Sequence, residues 1–320
     1  MAHLIKMEDC ASRYQHDIHR YPSQYTRLKK ERWNHLKREW MTANRTVPES
    51  DTDEAEEDWF YESEKNVFTQ ALDRLKNFSV KRKHVVPEFN MNIEDSNFSL
   101  YEGRSREDII DIFYEELFLA QLKWASSSLL EESSLNPKFK YDQLLRYLLR
   151  ELPDNYFVLY YPIFSVRNAP IEMDVILISP AEIICLTILE GKHNSVFESS
   201  SGRFWNEYVD QQIKRKVNPV VSLNRMGSIL REILKNNEAA LPVRYAVWSP
   251  ASLIDNRSSG LKVELIDRRS HENWLAKLKR QPSPIKSTQL KIADMLLENT
   301  ITVSFRREDL FHRGENDFDE

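Results

Sequence analysis

The stretch from Glu172 to Lys192 constrains the fold more than any other part of the chain. It reads as two apolar, β-branched strands, 172–179 and 182–189, turned at Ser179-Pro180, with Glu172 and Asp174 at one end and Glu190 at the other. Proline stops a ladder and serine bonds its own turn, so the two runs predict a hairpin. If Pro180 and Ala181 close it, opposed residues sum to 361. Asp174 then faces Thr187 and Glu172 faces Leu189, and directly opposed side chains share a face.

The surrounding sequence alternates helix and strand signals. Tyr141–Glu151 carries Leu144, Leu145, Leu148 and Leu149 at helical spacing and stops at Pro153. Tyr156–Ile163 is an aromatic and β-branched strand. Phe204–Lys216 and Val220–Lys235 read as helices, Tyr245–Ser249 and Leu261–Ile266 as strands, and 270–280 and 285–299 as helices. This order predicts an α/β domain over residues 136–320, a mixed sheet flanked by helices.

Residues 1–135 read as a mostly helical region. A helix over 23–43, N-capped by Ser23, sets Tyr25, Leu28, Leu36 and Trp40 against a face bearing Arg27, Lys29, Lys30, Arg32, Lys37 and Arg38. A solvated face over an apolar stripe is its simplest reading; a phosphate backbone or a protein partner is the alternative. The acidic run Pro48–Asp58 lies in a self-repelling segment, about 47–64, expected to be flexible. A helix over 60–78 and the basic cluster Lys81-Arg-Lys-His84 follow. Ser105-Arg-Glu-Asp108 opens another helix with a capping-box pattern. Its apolar residues, Ile109 to Trp124, cover most of the circumference, so it is expected to be buried on several sides.

Composition excludes some functions. A net charge of −5 leaves no global attraction to nucleic acid, so any such contact needs a local basic patch. With 6 glycines the chain has neither a P-loop nor a GxGxxG fingerprint. Its 2 cysteines, Cys10 and Cys185, are too few for a zinc ribbon and predict reduced thiols. No run of about 18 apolar residues could span a bilayer, which predicts a cytoplasmic protein with no membrane segment.

Several pieces in order resemble the nuclease-related (NERD) domain, a PD-(D/E)xK nuclease-like family, most strongly over 139–250. Asp142-Gln-Leu-Leu-Arg-Tyr-Leu-Leu-Arg-Glu-Leu-Pro153 resembles the family's opening helix, and Tyr156-Phe-Val-Leu-Tyr-Tyr-Pro162 its next strand. Ile171-Glu-Met-Asp-Val-Ile-Leu-Ile-Ser-Pro180 resembles its Glu-Ile-Asp strand and Ser-Pro turn, while Trp205 and Asn218–Arg225 fall where it has a Trp and a Pro-x-x-Gln helix start. The resemblance implies a restriction-endonuclease-like core. It also implies a site in which an Asp and a Glu hold a divalent metal and a Lys offsets developing charge.

Position by position, the implied site is incomplete. The opening-helix Glu falls on Asp142 and the central Asp on Asp174. The Glu and Lys of the family's Glu-x-Lys fall on Thr187 and Leu189, and its helix Gln on Ser222. An apparent Glu190-Gly-Lys192 lies three residues late, which is about 10 Å of strand and the opposite face. Two readings follow. In one, the domain is catalytically degenerate and binds nucleic acid, through Lys214, Arg215 and Lys216, or binds a protein partner through the helical N-terminal region. In the other, it is an active Mg²⁺- or Mn²⁺-dependent endonuclease using Asp142, Asp174, Glu190 and Lys192, with Asp142, Asp174 and Glu172 as metal ligands. A third reading makes it an unrelated α/β protein.

Overall fold

The computed structural model of the chain describes residues 1–44, 101–235, 241–256, 262–280 and 283–306. The acidic segment 47–64, the 60–78 helix and the cluster at 81–84 lie outside the described residues. The chain forms two compact units, Met1–Arg27 with Glu116–Glu320, and Leu28–Glu115.

The larger unit is built on a six-stranded mixed sheet. Its strands are β1 (His3–Met7), β3 (Phe157–Tyr160), β6 (Val175–Ile178), β7 (Ile183–Ile188), β11 (Val243–Ser249) and β13 (Glu264–Asp267), adjacent in that order. β6 runs antiparallel to both neighbours, and the other pairs are parallel. β1, β3 and β6 are buried at every residue, as a sheet covered on both faces requires.

Helices supply that cover. Leu145, Leu148 and Leu149 of α4 (Gln143–Glu151) and Trp274, Leu275 and Leu278 of α6 (His271–Lys279) share one core with Val158, Tyr160, Val175, Leu177, Leu186 and Trp248. Phe118 and Leu122 of α3 (Arg106–Trp124) join the same core. The alternate residues point the other way. There α5 (Pro219–Leu234) lies on β7 and β11, and α7 (Ser287–Glu298) and the short α1 (Arg13–His16) complete the layer.

Eight strands pair outside this sheet among the described residues. β2 (Glu131–Glu132) pairs β14 (Phe305–Arg306), and β4 (Ile163–Val166) pairs β5 (Ala169–Glu172). β8 (Val196–Glu198), β9 (Phe204–Val209), β10 (Gln212–Val217) and β12 (Leu253–Asp255) make a second sheet in the order β10-β9-β8-β12.

The hairpin register is the one the residue count gives. Val175 pairs Leu186, Ile176 pairs Cys185, Leu177 pairs Ile184 and Ile178 pairs Ile183, each summing to 361. The turn is held by Ser179, whose hydroxyl accepts from the Ala181 and Glu182 amides at 3.2 and 3.0 Å.

Several expectations need correction. Phe204–Lys216 is not a helix but the β9–β10 hairpin. Its apolar residues at 204, 205, 208 and 209 satisfy helical spacing, yet Trp205, Glu207 and Val209 are buried in strict alternation. Asp210 and Gln211 take φ of 50° and 62°, the mirror-image turn that matches strand twist. The strands 156–163 and 172–179 are shorter than expected. Tyr161, at φ 50°, ends β3, and Glu172 belongs to β5, opposite Ile163 rather than Leu189. Ser23 does not cap its helix: α2 runs Tyr21–Ala43, and the Ser23 hydroxyl donates to the Arg20 carbonyl.

The boundary at 135/136 is not where the structure divides, because β1 pairs β3 and Met1–Arg27 packs with the later residues. In the smaller unit the capping box forms: the Ser105 hydroxyl accepts from the Asp108 amide at 3.2 Å, and the Asp108 carboxylate accepts from Ser105. Trp33 meets Phe113 edge to face at 5.2 Å.

Candidate functional site

Asp142, Asp174 and Glu190 lie near one end of the main sheet, where β3 and β7 stop and β6 begins, and each acts on Tyr161 there. Asp142 is the N-cap of α4 and accepts from the Leu145 amide at 2.9 Å. Its other oxygen accepts the Tyr160 hydroxyl at 2.8 Å. Both oxygens therefore serve the fold.

Asp174 is half-buried just before β6. Thr187 lies opposite it and donates its hydroxyl to Asp174 Oδ2 at 2.5 Å. This is the position where the resemblance places a metal-binding Glu; here a neutral donor occupies it and bonds the aspartate. Leu189, at the position implied for the Lys, is buried.

The carboxylates are divided between the faces of the sheet. Tyr160, Val175, Leu177 and Leu186 belong to the core under α4, with Ile188 packed against it, so Asp142 sits on that side. Thr187 alternates to the other side, the α5 side, and carries Asp174 with it. Glu190, exposed and two residues beyond Ile188, continues the α4-side alternation. Lys192 turns away from both and pairs Asp210 of the β9–β10 turn at 3.1 Å. Glu172 is exposed on the β4–β5 hairpin.

Tyr161 is where these charges meet. Burial, then the fields of Asp174, Glu190 and Asp142, push its hydroxyl up to about 12. Burial and the adjacent Asp142 raise Tyr160 further. The two rings touch edge to face at 4.6 Å. The sequence reading missed this tyrosine pair; the signal available was an aromatic doublet ending a strand before Pro162.

The donor set does not fit a divalent metal. Among the described residues no three His, Cys, Asp or Glu side chains gather closely enough to hold one. Asp142 is committed to a cap and a tyrosine, Asp174 to Thr187, and Lys192 to Asp210. Each of these bonds holds its side chain in place for a contact within the fold rather than for a shared ligand.

The predicted basic cluster is also redistributed. Lys214, Arg215 and Lys216 stand on β10, an edge strand, so Arg215 points to the face opposite Lys214 and Lys216. Lys216 lies 3.8 Å from the buried Glu207 carboxylate.

A mixed six-stranded sheet with helices on both faces and a carboxylate-bearing hairpin at its centre defines an α/β, nuclease-like fold. Residues 138–250 match the model of the nuclease-related domain (NERD) family, whose general fold is the PD-(D/E)xK kind. No curated protein and no solved structure matches the chain. Among the described residues no helix is long and apolar enough to cross a membrane.

Proposed function

We infer that this nuclease-related domain binds nucleic acid and does not cleave it. The observation that carries the reading is the Thr187–Asp174 hydrogen bond at 2.5 Å. It occupies the register position that would have to supply the second metal ligand. The split of Asp142 and Asp174 between sheet faces supports it further.

Contact with nucleic acid is assigned to the edge of β10, where Lys214 and Lys216 project together beside the backbone of an unpaired strand edge. Arg215 lies across that edge and adds to the same phosphate track only from the far side. The reading places the chain in the cytoplasm, which suits two free, buried thiols. Burial pushes Cys10 up to about 11 and Cys185 up to about 12, away from reactive thiolates.

The test is cleavage and binding on the same full chain. With Mg²⁺ or Mn²⁺ at high protein concentration, single- and double-stranded DNA and RNA remain intact. Binding at low salt is detectable, and the Lys214→Ala/Lys216→Ala variant lowers the slope of log affinity against log salt by about 2. Metal-dependent cleavage abolished by Asp174→Ala would overturn the non-catalytic reading. An absence of binding at low salt would overturn the nucleic-acid reading and leave a protein partner.

A further inference from the structure

The second sheet has an outer face that is unusual for a sheet in water. Alternation puts Phe197, Trp205, Glu207, Val209 and Ile254 on its buried face. The opposite face of an antiparallel sheet is ordinarily polar. Here it carries Phe204, Tyr208, Ile213 and Val217, which are 42%, 39%, 64% and 64% exposed.

The register sorts this face into rows. Leu253, Val196, Tyr208 and Ile213 lie side by side across the four strands. The next row on the same face is Asp255, Glu198, Asn206 and Arg215. Phe204 and Val217 begin a third. The middle row is asymmetric in charge, acidic at β12 and β8 and basic at β10. It is also held in place: the Glu198 carboxylate accepts the Tyr208 hydroxyl at 2.6 Å and the Asn206 amide at 3.2 Å.

We propose that this face is the contact surface for a second copy of the chain. A two-fold axis parallel to the strands, midway between two stacked sheets, maps each row onto itself in reverse order. Ile213 then covers Leu253 and Tyr208 covers Val196, apolar on apolar. Arg215 of one copy covers Asp255 of the other, and Asn206 covers Glu198, donor on acceptor. The pattern is self-complementary, as an isologous interface requires. Stacked sheets sit about 10 Å apart, within reach of such side chains.

Other occupants fit less well. Two acids in the middle row repel a phosphate backbone, and Lys214 and Lys216 project from the other face. Pairing β10 edge to edge with its own copy would set Lys214, Arg215 and Lys216 against themselves, a standard device against such pairing. The exposed apolar side chains on this face are few, and the dimer is expected to be weak, with a dissociation constant of about micromolar order.

Sedimentation velocity of the full chain over a dilution series tests this. Wild type passes from monomer to dimer with concentration. Arg215→Asp and Asp255→Arg each weaken the dimer at least tenfold, and the chain carrying both substitutions recovers it, because the pair is swapped in both copies. Ile213→Lys, at an exposed position, weakens it without affecting the fold, read by circular dichroism. A chain that stays monomeric throughout, a dimer indifferent to Arg215→Asp, or a double variant no better than either single one would overturn the proposal. So would a single-stranded oligonucleotide that binds this face, with Tyr208→Ser losing it and no dimer present.

Discussion

Asp142 shows how a residue at a position that the family resemblance marks as a ligand can serve the fold. Aspartate is among the best helix N-caps, and it also accepts the hydroxyl of a buried tyrosine. Asp142→Ala removes the cap and leaves Tyr160 unsatisfied. The expected loss is about 2–4 kcal/mol in urea denaturation. Asp142→Asn caps equally well and offers its amide to the tyrosine oxygen, so it should stay within about 1 kcal/mol of wild type. Equal damage from both variants would show that the charge, rather than the cap, matters here. Tyr161 gives the matching pH test. Its folded value is raised from 10.0 to about 12, so the stability that its neutral form contributes is complete below pH 10 and is lost between 10 and 12. Tyr161→Phe should therefore lose stability less steeply than wild type across that window, measured by denaturant melts at stepped pH.

Among the elements, the central hairpin was legible and the one after it was not, for a physical reason. In 172–189 the Ser-Pro turn fixes where the strands fold back, and near-continuous apolar residues leave no helical stripe to compete. Register follows by counting, and with it the pairing of Asp174 with Thr187. In 204–216 the apolar spacing suits either period, and only burial against Phe197 and Ile254 selects the strand. β1 escaped because His3 and Lys6 interrupt it; both are fully buried, and Lys6 donates to the Cys10 carbonyl, Gln15 and Thr302. The Glu190-Gly-Lys192 motif is likewise better explained by packing. A Cβ on Gly191 would collide with Ser252 Oγ and lie 2.7 Å from the buried ring of Phe197. Gly191→Ala should cost about 1–3 kcal/mol by overpacking, read as a lower Tm, with nucleic-acid binding per folded molecule unchanged. A Tm equal to wild type would show that the second sheet yields at this point.

For the whole molecule, the question is what the nuclease-like sheet needs in order to stand alone. The order of helix and strand signals predicts an α/β domain over residues 136–320. The structure instead completes the sheet with β1, which covers the open edge of β3, and protects β1 in turn. The side chain of Gln121 on α3 takes the Leu4 amide at 3.0 Å and gives to the Ala2 carbonyl at 2.6 Å. An edge strand bonded this way offers no template for pairing with another chain. Truncation to 136–320 removes β1, Gln121, Phe118 and Leu122 together, which exposes the β3 edge and opens the core beneath α4. That fragment should lack a cooperative thermal transition and aggregate, whereas the full chain melts as a folded protein. Adding a synthetic peptide of residues 1–27 would restore only part of the order, because the α3 contribution is still missing. A cooperative, non-aggregating 136–320 would place the folding unit back at the boundary that the order of elements predicts and reduce β1 to an accessory strand. The expected failure would instead make the nuclease-related core dependent on strands and helices from outside the family's own span, residues 138–250.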